Sequence, residues 1–255
     1  GGSSAGDLVV PQRVPGIIAP GMRRLTIRDL LTWGRTSSNS VEFARELVYT
    51  NEADVVSENP AAGKPESNIT FEADNAPVAT IAHWLPASRQ ILSDVPMLQS
   101  YIDMRLRYGL KLVEEDQLLN GSGVGLNIDG IATQATAYSN PGVAVETETR
   151  IDRLRLALLQ VELAEYFGDG IVLNPIDWAA IELLKDGELR YLFANPTGMT
   201  TPALWGRNVV PTQAMGAGDF LVGSFAMGAQ GWDREDVSVM ISMEDRDNFI
   251  KNMVT

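Results

Sequence analysis

Residues 41–85 read VEFARELVYTNEADVVSENPAAGKPESNITFEADNAPVATIAHWL, and this stretch decides the architecture. Two long extended runs flank a tip at residues 59–65, and neither run has enough apolar residues to bury itself. At about 3.3 Å per residue the outgoing run, residues 41–58, reaches on the order of 55 Å. A compact domain of this length has a radius of gyration of roughly 18 Å. We therefore expect an arm that lies on a neighbouring molecule, which indicates a subunit of an assembly.

The composition limits the class of protein. Of the 255 residues 45% are apolar, which is enough for one large domain or two modest ones with a real core. No run approaches the ~18 consecutive apolar residues that a membrane span needs, and the start, GGSS, has no basic or apolar leader. We expect no membrane segment, and Gly1 in place of an initiator Met indicates a trimmed N-terminus. The absence of Cys excludes disulfide scaffolds, zinc–thiolate sites and cysteine nucleophiles, and fits an intracellular origin.

The net charge of −13 bears on possible partners. Nucleic-acid binding depends mainly on Lys and Arg that neutralise phosphates, so the charge argues against a surface that grips DNA or RNA. The simple interpretation is solubility. A more specific interpretation is that the negative charge keeps a surface that lies near DNA from binding it.

Hydrophobic spacing predicts a mixed α+β fold. The longest signal is a helix at residues 97–119, which Asp94 and Pro96 introduce and Asn120-Gly121 ends. The other predicted elements are an irregular arm at 1–40 that ends in a helical signal at 26–31, an apolar strand at 78–85, helices at 150–167 and 174–184, and strands at 171–173, 191–193, 209–210, 220–223 and 237–241.

Two groups of residues carry weak signals for catalysis or nucleotide binding. Gly121, Gly123 and Gly125 resemble a phosphate-binding loop, but a dinucleotide loop follows a strand and opens a helix, whereas this one follows a helix. A turn between two domains is the simpler interpretation. His83, the only histidine, fits either a Ser-His-Asp site or a hydrogen-bonded structural role.

Two acidic groups raise the question of a metal. Glu114-Glu115-Asp116 occupies successive helix positions that face different directions, which is typical of a solvated face. Residues 244–248 alternate carboxylates but lack the Gly and terminal Glu of a calcium loop, so a charged turn explains them equally well. We expect neither a metal nor a cofactor.

Beyond these single motifs, a series of phrases occurs in one order along nearly the whole chain. They are PGII at 15–18, RRLTIRDLL at 23–31, GRTSSN at 34–39, KPES at 64–67, IAHW at 81–84, LQSYI at 98–102, QLLNG at 117–121, VLNP at 172–175 and EDRDNF at 244–249. In these phrases the chain closely resembles the major capsid proteins of tailed bacteriophages, which have the Hong Kong 97-type fold.

The resemblance implies an α+β fold with four parts. These are an N-terminal arm at 1–40, an extended β-hairpin loop at 41–85, a peripheral domain with a long spine helix at 86–126 and 233–255, and an axial domain at 127–232. It further implies a trimmed precursor, since relatives lose an N-terminal scaffolding segment to a phage protease. In the family a C-terminal tail completes the peripheral sheet, so the strand near Val254 is expected to have an unpaired edge.

The resemblance also implies a covalent bond between subunits. In the type protein of the family, a lysine of the extended loop joins an asparagine of a neighbour's peripheral domain, and a glutamate transfers the proton. By motif these are Lys64 in KPES and Asn252 in Lys251-Asn252-Met253, while the glutamate is expected beyond Thr255. A lysine amine is a nucleophile only when neutral, a form that burial favours. The alternative is that Lys64 is a solvated turn residue and Asn252 a strand-end amide.

Three functions fit these observations. The first is a structural protein that self-assembles into hexamers and pentamers of an icosahedral phage head, enclosing double-stranded DNA without binding it specifically, with a portal and a maturation protease as partners. Such a protein is a virion component assembled in the host bacterial cytoplasm, and is no enzyme beyond single-turnover self-cross-linking. The second keeps the fold but builds a gene-transfer particle or a cargo-holding bacterial nanocompartment. The third is a hydrolase that uses His83 or the carboxylates.

Overall fold

A computed structural model describes residues 19–58, 63–90, 96–192 and 202–255. The described helices are a 3-10 helix at Arg28–Leu30, α1 Pro96–Asn120, α2 Ile131–Gln134, α3 Arg150–Leu163, α4 Pro175–Glu182, α5 Phe225–Gly228 and α6 Asn248–Lys251. The described strands are β1 Thr32–Arg35, β2 Ser40–Thr50, β3 Asn68–Pro77, β4 Ala87–Ser88, β5 Gly170–Leu173, β6 Ala203–Leu204, β7 Arg207–Pro211, β8 Phe220–Gly223, β9 Gln230–Asp233 and β10 Met253–Val254. This mixture confirms the α+β class.

The chain divides into two compact units. The first comprises the described parts of Gly1–Leu25, Ile81–Glu114 and Val237–Thr255, and the second comprises those of Thr26–Thr80 and Glu115–Asp236. The division falls inside α1, after Glu114.

A four-stranded sheet in the order β6-β7-β5-β8 organises the second unit. Strand β5 lies inside it, parallel to β7 and antiparallel to β8. All four residues of β5 are buried, because side chains that alternate along a strand enter two different cores. Ile171 and Leu173 pack in a cluster with α3 and α4, whereas Val172 packs with Leu119 at the end of α1 and with other residues of the second unit.

Side-chain caps fix where the two helices around β5 begin. Thr149 and Asp152 form a capping box at the start of α3, and hydrogen bonds from the Thr149 hydroxyl and backbone N–H lower the pKa of the Asp152 carboxyl. Asn174 accepts a hydrogen bond from the Ile176 N–H, and Pro175 occupies the first turn of α4. The Asn174-Pro175 signal in the sequence therefore locates the start of α4 correctly.

Glu115 corrects the prediction of a solvated acidic face. Its side chain is 3% exposed, and its Oε1 accepts hydrogen bonds from the Thr26 backbone N–H at 3.2 Å and the Thr212 hydroxyl at 3.1 Å. Successive helix positions do face different directions, and this one faces the core while Asp116 is exposed. The carboxylate thus joins three segments that are distant in sequence.

The hairpin of β2 and β3 belongs to the second unit, and β1, the strand just before it, pairs in parallel with β9. In that pair Trp33 lies opposite Gly231, and Gly34 lies opposite Trp232. A Cβ at Gly34 would lie 2.6 Å from the Trp232 ring, and one at Gly231 would lie 2.5 Å from the Trp33 ring. Each indole therefore occupies the space that the opposite glycine leaves free.

Polar contacts also stabilise the base of the hairpin. Arg35 Nη2 donates to both Asp236 carboxylate oxygens, at 2.9 and 3.2 Å, and the Val78 N–H donates to the Asn39 carbonyl at 2.9 Å. Arg28 pairs with Asp233, and its guanidinium lies 3.6 Å from the centroid of the Trp33 ring. These contacts hold the two ends of the hairpin together where it leaves the body of the unit.

The first unit contains most of α1 and the C-terminal segment. Strand β10 pairs antiparallel with β4, and Val254 is buried there. Backbone groups of Ser242 and Thr255 exchange two hydrogen bonds at 2.8 and 2.9 Å, so residues 242–255 form a closed loop. None of the helices in the described part of the chain combines the length and the apolar composition that a membrane-spanning helix needs.

Several predicted elements are wrong or differ in extent. The predicted strands at 78–85 and 237–241 are absent, although both segments are apolar. In the second segment the Val237 carbonyl accepts a hydrogen bond from the Arg107 side chain, at 2.8 Å from Nη1, instead of from a neighbouring strand. Helix α3 ends at Leu163 rather than at 167, because Glu165 has a left-handed backbone (φ 65°). Helix α4 ends at Glu182 rather than at 184.

The remaining predictions have mixed outcomes. Helix 97–119 and strands 171–173, 209–210 and 220–223 are confirmed within one or two residues at each end, and the helical signal at 26–31 is a 3-10 helix. In the hairpin of residues 41–85 the strand pairing ends at Thr50 and Asn68, so the paired strands are shorter than the two predicted extended runs. Parts of four predictions lie outside the described residues. These parts are residues 1–18 of the N-terminal arm, residues 59–62 of the hairpin tip, Asp94 at the predicted helix start, and Phe193 of the predicted strand 191–193.

We predict that Glu115→Ala destabilises the protein by about 2–4 kcal/mol, because the partly buried Thr26 N–H and the buried Thr212 hydroxyl each lose an acceptor. The measurement is the free energy of unfolding in urea. Asp116→Asn, at the next and exposed helix position, serves as the matched control and changes the free energy by less than about 0.5 kcal/mol. Equal effects of the two substitutions contradict the assigned role of Glu115.

We predict that Gly34→Ala costs about 1–3 kcal/mol, because its new methyl group meets the Trp232 ring at 2.6 Å and the β1–β9 pair must shift. Hydrogen exchange of residues 32–36 and 230–233 should accelerate. Gly187→Ala, where a Cβ meets nothing within 4 Å, is the control and leaves these amides unchanged. Unchanged exchange in Gly34→Ala disproves the proposed packing.

Candidate assembly surfaces

The hairpin of β2 and β3 exposes almost its entire surface. Every residue of β3 is exposed, and so is every residue of β2 beyond its first two. The exposed fractions of Phe43, Tyr49 and Phe71 are 46%, 59% and 66%. A two-stranded hairpin without a surface to pack on is at best marginally stable in water, and this one exposes its side chains along nearly its whole length.

A β-bulge distributes the apolar side chains of the hairpin over both faces. Val41, Phe43, Leu47 and Tyr49 alternate in sequence and would share one face of a regular strand. The register shifts between Glu46 and Val48, which leaves Leu47 outside the pairing. Phe43 therefore shares a face with Val48, whereas Tyr49 shares the other with Ile69 and Phe71.

Charged groups contribute little to holding the hairpin together. Arg45 pairs with Glu72 across the strands at 3.2 Å, and both side chains are more than half exposed. Exposed ion pairs of this kind contribute about 0–1 kcal/mol. The hairpin therefore presents apolar area on two sides and has little internal stabilisation.

Lys64 lies in the connection between β2 and β3, in the second unit, and its side chain is exposed. Gly63 before it has a left-handed backbone (φ 81°). The Glu52 N–H donates to the Ser67 hydroxyl at 3.1 Å, so the two runs remain close beyond the last strand pair.

Asn252 lies at the C-terminal end of α6, in the first unit. Its backbone is left-handed (φ 53°, ψ 41°), a conformation that Asn tolerates better than most residues. Its carbonyl accepts a hydrogen bond from the Arg89 N–H at 3.0 Å, and β10 follows directly. The backbone is thus fixed on both sides while the side chain is exposed.

Two exposed apolar residues closely precede Asn252 in sequence, and the exposed ion pair of Lys251 and Asp247 lies in the same segment. Phe249 and Ile250, on the short helix before Asn252, are 86% and 82% exposed. Lys64 belongs to the second unit and Asn252 to the first, so neither unit by itself contains the pair.

His83 has a structural contact. Its Nε2–H donates to the Leu106 carbonyl of α1 at 3.0 Å, and a Cβ at Gly109 would lie 3.0 Å from the His83 ring. The ring therefore lies against the helix where glycine leaves room. This geometry matches the hydrogen-bonded alternative for His83 rather than a nucleophile–base pair.

The loop Gly121 to Gly125 folds onto itself. A Cβ at Gly121 would lie 2.1 Å from the Ile128 carbonyl oxygen, and Ser122 forms an antiparallel bridge with Asp129. The Gly121 N–H donates to the Gln117 carbonyl at 2.9 Å, so this amide is not available to a phosphate. The glycines serve a tight turn.

The acidic segment 244–248 forms a charged turn. Asp247 pairs with Lys251 at 3.1 Å, and the Asn248 N–H donates to the Asp245 carbonyl. Across the part of the chain that the structure describes, no cluster of His, Asp or Glu could hold a metal ion.

Sequence reasoning missed the crossed Trp and Gly residues at the base of the hairpin. The signal is present in the order of two dipeptides, Trp33-Gly34 and Gly231-Trp232. In a parallel pair, these opposite orders place each indole over a glycine. The two dipeptides are about 200 residues apart in sequence, so only the three-dimensional pairing reveals the match.

Comparison with known proteins agrees with this architecture. The model of the phage capsid family matches residues 5–255. The chain is 56% identical over 252 residues to the major capsid protein of Enterobacteria phage HK97, covering 99% of this chain and 65% of that relative. The chain therefore spans about two thirds of the length of this curated relative.

Solved structures show the same fold. The capsid of a native GTA particle has a TM-score of 0.76 at 18% identity, covering 98% of this chain and 88% of the other. A chain from Microbacterium phage Oxtober96 has a TM-score of 0.74 at 18% identity, covering 97% and 86%. The Hong Kong 97-type fold that the sequence phrases imply is thus confirmed. The match of the family model over nearly the whole chain, together with 56% identity to a family member, shows that the chain belongs to the phage capsid family.

Proposed function

We propose that this chain is the structural subunit of an icosahedral phage head, in which hexamers and pentamers of the same chain form the shell. The observation that carries the proposal is the hairpin of β2 and β3, which exposes apolar residues on both faces. A neighbouring copy supplies the surface on which it packs. Identity of 56% to a major capsid protein supports the same role.

The proposed content of the shell is double-stranded DNA, enclosed without specific binding. The net charge of −13 supports this, because an acidic protein gains little from contact with phosphates. By family resemblance the other partners are a portal and a maturation protease that trims a precursor. Assembly takes place in the host bacterial cytoplasm, and the mature chain is a virion component.

A gene-transfer particle or a nanocompartment shell is the alternative. The likeness to the capsid of a GTA particle is at 18% identity and supports the fold alone, whereas the likeness to a phage capsid protein is at 56%. The phage head is therefore the better-supported role. Genes for a portal and a terminase beside this one discriminate a virus or virus-like particle from a nanocompartment.

We also propose that Lys64 of one subunit forms an isopeptide bond with Asn252 of another. The neutral amine attacks the side-chain carbonyl carbon, a C–N bond forms, and the asparagine amide nitrogen leaves as ammonia. A carboxyl group that takes the amine proton and passes it to the leaving nitrogen is needed, and the glutamate expected beyond Thr255 fills that role.

Features of both residues support this bond. Lys64 is exposed at the end of the hairpin, within reach of another chain. Asn252 presents its side chain from a fixed backbone, beside the exposed Phe249 and Ile250. Packing of a partner's loop on these apolar side chains excludes water, and dry surroundings favour the neutral amine. The chain thus acts at most once on itself and turns over no substrate.

The assembly prediction concerns the purified chain. Under assembly conditions, size-exclusion chromatography and electron microscopy should show closed particles built from hexamers and pentamers, because the exposed hairpin requires a partner. Asp116→Asn, which leaves the hairpin unchanged, is a control and assembles normally. A strict monomer under all assembly conditions contradicts the proposal.

The cross-link prediction uses mature particles boiled in denaturant. The native chain should give covalent ladders, and Lys64→Ala and Lys64→Arg should both give monomer bands, because neither side chain supplies a nucleophilic amine. Asn252→Asp should also abolish the ladders, since an ionised carboxylate is a poor electrophile for attack by an amine.

Lys251→Ala, next to Asn252 but engaged by Asp247, is the matched control and keeps the ladders. Intact mass should show the loss of one ammonia for each bond. Monomer bands alone from native particles would end the cross-link proposal without affecting the shell.

A further inference from the structure

A side-chain hydrogen bond closes the segment that contains Asn252. Asn248 Nδ2 donates to the Thr255 hydroxyl at 2.6 Å, inside the loop that the two backbone hydrogen bonds of Ser242 and Thr255 complete. Asn248 is the first residue of α6, and β10 ends one residue before Thr255. The bond therefore joins the start of α6 to the end of β10, and Asn252 lies at the turning point between them.

The backbone of Asn252 needs such support. Its left-handed conformation is sparsely populated for a residue other than glycine, and it persists where the surrounding structure holds it. Helix α6 has only four residues, too few to be stable without help from its surroundings. The Arg89 N–H holds the Asn252 carbonyl, and the bond of Asn248 to Thr255 holds the chain on both sides of it. The direction of the exposed carboxamide follows from this backbone.

The two asparagines of the loop have different surroundings. Asn248 is half-buried and its amide nitrogen is engaged within its own loop, whereas the side chain of Asn252 is exposed. In the proposed cross-link, the amine of Lys64 attacks a carboxamide carbon, and the amide nitrogen leaves as ammonia. Attack on Asn248 would have to break the bond to Thr255 first. This difference favours Asn252 as the acceptor and leaves Asn248 with a supporting role.

We propose that Asn248 is a positioning residue for the cross-linking reaction, and that its bond to Thr255 holds Asn252 in the conformation that Lys64 attacks. The inference rests on the proposed isopeptide bond. Asn248 touches no reacting atom, and none of its own covalent bonds changes. A misplacement of reacting groups by about 1 Å can slow a reaction about 100-fold. Loss of the Asn248 contact thus slows the reaction while the reacting groups stay the same.

The test measures how fast covalent ladders appear in assembled particles. Asn248→Ala and Thr255→Val each remove the side-chain bond and should slow cross-linking at least about tenfold at every pH. The pH of half-maximal rate should remain that of the native chain, because Lys64 and the group that takes its proton are unchanged. The double variant should be no slower than the slower single variant, because both substitutions remove the same bond.

Conservative variants separate positioning from a general loss of stability. Thr255→Ser keeps the hydroxyl, and in Asn248→Asp the carboxylate accepts a hydrogen bond from that hydroxyl instead of donating one. Both should therefore cross-link at a rate close to that of the native chain. Lys251→Ala breaks an exposed ion pair on the same short helix and is the matched control, with an unchanged rate.

The outcomes distinguish this inference from the cross-link proposal. Ladders that form equally fast in the native chain and in Asn248→Ala overturn the positioning role alone, and so does a slow rate in both conservative variants. Failure of both Asn248→Ala and Thr255→Val to form particles also overturns it, because the bond then serves folding or assembly. Peptide mapping should locate the linkage at Asn252, and a linkage at Asn248 contradicts the assignment. If native particles form no ladders, the cross-link proposal and this inference fail together.

Discussion

A long hairpin without a surface of its own is the constraint on which the rest of the structure depends. Strands β2 and β3 pair with each other along one edge each, and nearly all of their side chains remain in solvent on both faces. Each backbone hydrogen bond contributes only about 0.5–1.5 kcal/mol net, because the unfolded chain bonds to water instead. The entropy cost of ordering the backbone, about 1–2 kcal/mol for each residue, offsets that gain. The hairpin gains stability only where its exposed apolar area is removed from water, and in the proposed shell a second chain covers that area.

The body of the second unit is built to hold such a hairpin. Strand β5 is buried on both faces and gives the sheet a rigid centre, while the Glu115 carboxylate ties α1 to Thr26 and Thr212. At the base of the hairpin, the crossed Trp and Gly residues of β1 and β9 pack closely. Close packing at this base matters because a small rotation there would displace the distant tip of the hairpin by a large distance.

Much of the fold was predictable because its signals are local. Periodicity and stop signals located α1, β5 and β8, since each depends on spacing or caps within one segment. The failures concern residues whose state depends on distant partners. Residues 237–241 have strand-like composition but no strand partner within the described chain. The buried Glu115 cannot be told in sequence from its exposed neighbour Asp116. The bulge at Leu47 is equally invisible, because a one-residue register shift leaves no mark in composition.

The candidate sites likewise combine a local sequence signal with features that only the three-dimensional structure shows. Lys64 and Asn252 were located by their surrounding phrases, and the structure adds the left-handed backbone and the exposed Phe249 and Ile250 beside Asn252.

Hydrogen–deuterium exchange of residues 40–77 in dissociated subunits and in assembled particles tests the dependence of the hairpin on a neighbour most directly. The hairpin amides should exchange rapidly in the free subunit and become strongly protected in particles, while the β5 amides stay protected in both states. Equal protection of the hairpin in the two states would contradict the account, because the hairpin would then need no second chain.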